Sequence, residues 1–293
     1  HRLMSKPDEA ERSYREAISR LEDLVGDYPK AEDRSALGSS YNWLGEVLRP
    51  QRQKASEAGA AYDRAFAIQQ ALVAEPGALQ QHREELARTL YNRGILRSAE
   101  TASAAGAEAD FRQAVAILEP LASTNTQAAQ ELARAYNNLG SLLAASPGRG
   151  AEVRTLWERA IGIDERLLAG EPSNREYAFE LATFAGNLAA LLHDAGAHAD
   201  AERWSARMVA LMDELAHVSP PLAVARADAY NLQAAILQAR DVEAAERSFA
   251  EAVDLFAAMR ADATLHHNPE FHLRFGDLLL NLAALAQSAR GAD

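Results

Sequence analysis

The densest group of ligand-type side chains is the stretch "HHNPEFH", which holds His266, His267 and His272. Clustered imidazoles raise the question of zinc, which in a structural site takes four ligands in a tetrahedron. The protein has no Cys to complete such a set, and Pro269 interrupts the stretch. A loop between helices is the expected context, so no metal is assigned. His193 and His198 in "HDAGAH" read as the corner of a tight turn. The lack of Cys also removes disulfides, thiol catalysis and Cys-ligated clusters. Acidic residues are plentiful but scatter over polar helix faces. No isolated acid–base pair, nucleophile motif, phosphate loop or cofactor motif occurs. The sequence reads as a protein that is not an enzyme and needs no cofactor.

A second set of polar residues is more informative because it recurs. "ELARTLYNRG" (85–94) and "ELARAYNNLG" (131–140) place Arg88 with Asn92 and Arg134 with Asn138, each pair four residues apart. That spacing puts both side chains of a pair on one face of a helix. Asn amides can hydrogen-bond an extended backbone, and Arg can grip a carboxylate with two parallel bonds. Asn187 repeats the Asn position, and Trp43 stands there in an earlier copy. Trp is a common anchor at protein interfaces.

The elements that carry these residues form a repeat. Copies aligned on one small residue give Gly45, Gly94, Gly140, Ala189, Ala234 and Ala283, spaced 45–49 residues apart. Eight positions earlier stand Leu37, Leu86, Leu132, Leu181, Arg226 and Phe275. A constant period with constant apolar and small positions marks a stacked-repeat protein. We denote this helix A. Between the copies runs a helix B, in which Tyr62, Phe111, Trp157 or Phe249 is followed at +3 by Ala, at +6 by Ile or Leu and at +10 by Leu or Met. Residues 13–29 are an earlier copy of B and 203–220 a looser one. Pro29, Pro76, Pro172 and Pro220 are expected to close B helices. A mid-helix Gly costs about 1 kcal/mol relative to Ala, so the small position needs a reason. The expected one is close approach of helix B, with the +3 residues Ala65, Ala114, Ala160 and Ala252 facing it.

"YNNLGSLL", "YNWLGEVL" and "AGNLAALL" in A, with "ERAIGIDERLLAGEP" and "DRAFAIQQALVAEP" in B, resemble the tetratricopeptide (TPR) repeats over essentially the whole sequence. Both helices are longer than in the usual 34-residue unit of that family. The "ELARxYNNLGxLL" form is similar to arrays in large bacterial signalling proteins, although no kinase motif is present. The expected fold is all-α, a right-handed superhelical solenoid of about twelve antiparallel helices forming one array over 1–293. Its parts are a half repeat (1–30), five repeats (31–77, 78–125, 126–173, 174–220, 221–264) and a terminal half repeat (265–293). Beginning and ending in mid-repeat, the sequence is expected to be a fragment of a longer protein.

The resemblance implies a scaffold or adaptor that binds protein or peptide on its concave face. Two residues is about 200° around a helix, so Asn92, Asn138 and Asn187 are expected to point away from the A–B contact, onto the inner wall. The candidate binding residues are Trp43, Arg88, Asn92, Arg134, Asn138 and Asn187, and the expected ligand is an acidic segment or the C-terminus of a peptide. The Arg–Asn pairs are similar to the carboxylate-clamp subset of the family. Structural alternatives stand beside each reading. Asn can bridge adjacent repeats, Arg88 and Arg134 can pair with Glu85 and Glu131 at i−3, and Trp43 can be buried against the next repeat. A ligand-sensing module controlling an attached signalling domain, or a homo-oligomer joined through the terminal helices, are the rival functions.

The formal net charge of −12 argues against wholesale nucleic-acid binding, which calls for a basic footprint. "RPQRQK" (49–54) reads as a solubilising loop edge. No apolar run reaches the roughly 18 residues of a membrane span and no signal peptide is visible. The expected location is the cytoplasm, or the periplasm if the array belongs to a membrane-anchored protein. Chelators are expected to leave the melting temperature unchanged; a rise on adding zinc that is lost in His266→Ala would establish a metal site.

Overall fold

The computed structural model describes residues 6–215, 220–260, 262, 265 and 268–290. Its helices follow the A/B alternation. They are α1 (Pro7–Asp27), α2 (Ala31–Leu48), α3 (Ala55–Ala74), α4 (Gln80–Ser98), α5 (Ala104–Leu118) and α6 (Thr126–Ala144). Then come α7 (Gly150–Gly170), α8 (Arg175–Asp194), α9 (His198–Leu215), α10 (Pro220–Leu237), α11 (Val242–Met259) and α12 (Pro269–Arg290). Even-numbered helices are A and odd-numbered ones B. The protein forms two compact units, His1–Arg149 and Gly150–Asp293. In the first, each helix from α1 to α6 packs on the next, and α4 also touches α2 and α6. In the second, α7 to α12 pack in the same order, and α10 touches α8 and α12. Each unit is therefore a stack of antiparallel hairpins with its A helices side by side.

Local signals set the helix ends. Asn125 caps α6 by accepting from the Ala128 amide at 3.1 Å, and Asp241 caps α11 by accepting from Ala244 at 2.9 Å. Asn174 accepts from the amides of Glu176 and Tyr177 to start α8. Such caps satisfy amides that have no partner within the helix. Pro29, Pro76 and Pro172 lie just beyond α1, α3 and α7, whereas Pro220 opens α10 rather than closing α9.

The A–B seam is tight, and it differs in detail from the expectation. A Cβ built on Gly45 would stand 2.6–2.8 Å from ring atoms of Tyr62, and one on Gly94 2.7–3.1 Å from the ring of Phe111. The small residue thus faces the aromatic ring itself, not the Ala at +3. A flat ring lying across helix A needs the volume of a missing side chain. The +3 alanines are fully buried all the same. Position +7 of helix B is buried too, by Leu118 and Phe256 at 1% exposed and by the polar Gln69 and Asp164 at 1% and 0%. Helix α9 solves the seam differently. Its buried pattern matches α5 with Ser205 in the ring's place. Met208, at +3 of that helix, lies against α8 three residues before the small position Ala189, its sulfur 2.6 Å from where a Cβ on Gly186 would lie.

One ion-pair network joins three helices of the first unit. Arg93 of α4 donates Nε and Nη2 to the two carboxylate oxygens of Asp110 on α5, at 2.9 and 2.7 Å. Its Nη1 reaches Asp63 of α3 at 2.9 Å, and its guanidinium lies 4.0 Å over the Phe66 ring. Arg97 bonds both carboxylates as well. The equivalent contact in the second unit is a neutral hydrogen bond, Ser248 Oγ to Gln233 Oε1 at 3.0 Å.

Two glycine substitutions separate seam packing from helix propensity. Gly94→Ala is expected to lower stability by about 1–3 kcal/mol, the scale of overpacking. Gly162 in α7 has nothing within 4 Å of an added Cβ. Gly162→Ala should therefore gain up to about 1 kcal/mol. Thermal melting of both variants checks this; shifts of the same sign would contradict the seam.

Candidate functional site

Three consecutive A helices of the first unit enclose a groove of about 310 Å3. Trp43 and Glu46 come from α2, and Ala87, Arg88, Tyr91 and Asn92 from α4. Gln127, Glu131 and Arg134 come from α6, with Leu118 of α5 at the floor. Four of the six residues singled out from the sequence line it: Trp43, Arg88, Asn92 and Arg134. Asn138 and Asn187 do not. Trp43 is exposed, with 38% of its surface accessible.

The asparagines do something other than line an open wall. Asn92 is only 4% exposed, and its Nδ2 donates to Asn42 Oδ1 at 3.1 Å. Asn138 donates to the Tyr91 hydroxyl at 3.0 Å, and Asn281 to Asn231 at 3.3 Å. In every case a residue two before the small position bonds one three before it on the preceding A helix. This is a ladder between repeats, so the expected outward direction of Asn92 and Asn138 is corrected. Neighbouring A helices approach along this row, and a buried amide needs a partner. Where α10 carries Leu232 at that place, the rung becomes an apolar approach to Gly186.

A second rung crosses the groove. Arg88 donates Nε and Nη2 to Glu131 Oε1 at 3.1 and 2.7 Å. Its partner is thus on the next repeat, not Glu85 at i−3. Glu85 accepts from Ser35 Oγ at 2.7 Å and from Gln81. Asp228 and Arg274 form the same rung with the charges exchanged. Arg88 therefore enters the groove already neutralised.

Glu46 is the odd member. It is partly buried, and it has no hydrogen-bond or ion-pair partner among the described residues. Burial pushes its pKa above the ordinary carboxylate value, against the pull of Arg49 and Arg88. Tyr14 of α1 and Tyr62 of α3 feel its charge too.

Tyr91, Gln127 and Glu131 were missed by the sequence reading. Glu131 is nine and Gln127 thirteen residues before the small position. The candidate residues follow from the geometry of single helices, whereas the next helix A contributes positions nearer its N-terminus. The recurring Glu before "LAR" was the available signal. Arg93 and Asp110 could have been found as a charged pair standing where the first repeat has Leu44 and Ala61. His266 and His267 lie outside the described residues; His272 is exposed on α12. No helix among the described residues is long and apolar enough to cross a membrane.

These stacked A–B hairpins, with a groove on the A side, define an α-helical-hairpin repeat protein of the TPR-like fold. Solved structures of similar fold are BtubC (BKLC) from P. vanneervenii and the nearly identical TPR-like repeats of a putative kinesin light chain from Podosopora anserina. The first has a TM-score of 0.66 at 17% identity, covering 87% of this protein and 92% of that one. The second has a TM-score of 0.53 at 18% identity, covering 78% and 99%. No family model and no curated protein matches the sequence.

The raised pKa of Glu46 has a consequence for stability. Between the ordinary value of 4.5 and its own, the folded protein binds more protons at this site than the unfolded one. Stability therefore falls as pH rises through that window. Glu46→Gln should melt above wild type at neutral pH, with the difference closing as pH drops toward 4.5; equal melting at neutral pH would contradict the burial cost.

Proposed function

We propose that the protein is an interaction scaffold and that the groove on α2, α4 and α6 receives a segment of a partner protein. The observation that carries this reading is the exposed Trp43 beside a groove built from three repeats. Its lining combines two aromatic rings with Arg88 and Arg134. Trp, Tyr and Arg are the residue types that dominate binding energy at protein interfaces. A volume of about 310 Å3 is at the low end for a small-ligand pocket and suits one or two side chains of an extended peptide. Four charged residues in the lining also weigh against a closed apolar sensing cavity. An acidic ligand would have to compete with Glu131 for Arg88.

Trp43→Ala tests this reading with an array of N-acetylated random decapeptides. Binding to selected peptides should fall roughly tenfold or more, as at a hot spot, with the melting temperature unchanged. Peptide binding insensitive to Trp43→Ala and to Arg134→Ala would place the site elsewhere.

A further inference from the structure

Granting the groove as a peptide site, we infer that it selects a cationic side chain, Lys or Arg, which docks against Glu46 beside Trp43. The argument starts from which charges in the groove are already satisfied. Arg88 and Glu131 neutralise each other through two hydrogen bonds. Glu46 has no such partner among the described residues, although it is partly buried and lines the same groove. A buried carboxylate without a partner is costly, and a cation or a strong donor removes that cost. The pull of Arg49 and Arg88 does not outweigh the burial.

The surroundings fit a cation on a long apolar stem. Trp43 precedes Glu46 by three residues on α2, so both side chains share one helix face. An indole face attracts an ammonium or guanidinium group, while the stem of a Lys or Arg can lie along the accessible ring surface of Trp43 and Tyr91, which line the same groove. A peptide carboxylate at this end would instead add a second negative charge beside Glu46. The selectivity is thus opposite in sign to the one that the arginines alone imply.

The test uses N-acetylated decapeptides of random sequence whose central residue is Lys, Arg, norleucine, Gln or Glu. Each set is titrated by fluorescence anisotropy against wild type, Glu46→Gln, Trp43→Ala and Arg134→Ala. Central Lys or Arg should bind tighter than norleucine to wild type. Glu46→Gln should reduce that preference by roughly fivefold, the upper scale of a solvent-accessible ion pair, and leave norleucine peptides unchanged. A Lys preference that survives Glu46→Gln overturns the cation site. So does a preference for central Glu that Arg134→Ala removes; in both cases a loss of binding in Trp43→Ala keeps the groove itself. If no peptide set responds to Trp43→Ala or Arg134→Ala, the groove reading fails and the cation site with it.

Discussion

The rest of this structure depends on one steric constraint, the ring of helix B lying across a position of helix A that has almost no side chain. Gly45 under Tyr62 and Gly94 under Phe111 leave no room for a methyl group. That contact draws the two helices of a hairpin close and sets how far each is rotated about its axis. Rotation then decides which residues of helix A remain for other contacts. Nothing in helix propensity favours Gly there, so packing overrides the local preference. Helices α8 and α9 depart from this pairing, with Ser205 in the ring's place and Met208 against Gly186, three residues before the small position Ala189.

With that rotation set, the next row of helix A meets the preceding A helix. Here the contacts are polar and directional. The amide ladder of Asn92 on Asn42 and Asn138 on Tyr91 fixes the register between repeats. The rung of Arg88 on Glu131 adds a charge-assisted bond. Polar contacts of this kind penalise slippage, because a shifted register would bury unpaired amides. The network of Arg93 with Asp110 and Asp63 does the same across α3, α4 and α5. Removing one partner of such a buried pair commonly costs about 3–5 kcal/mol.

The groove is what remains once these demands are met. Residues that look free in one helix are committed when its neighbours are in place, as Arg88 and Asn92 are. Residues that look incidental become prominent, as Glu46 does. The groups left over in the groove include an exposed indole and a carboxylate with no hydrogen-bond partner among the described residues. Arginines counted along helix A point to an anion site, whereas the bonding of Arg88 to Glu131 weakens that basis.

The sequence alone determined the repeat. The recurring small residue, the aromatic with Ala at +3 and the prolines after B set the helices and their order, because helix periodicity and caps are encoded locally. It also placed Trp43, Arg88, Asn92 and Arg134 on one groove, because one helix face recurs at one spacing. It did not determine which side of each Asn faced a neighbour, nor that Glu131 would take Arg88, nor that the ring and not the Ala would sit on Gly45. Those outcomes depend on the offset and rotation between helices, which are decided only when side chains 43 to 50 residues apart compete for the same volume and the same hydrogen bonds. A pattern along the sequence holds the candidates, and tertiary packing decides which of them stay free.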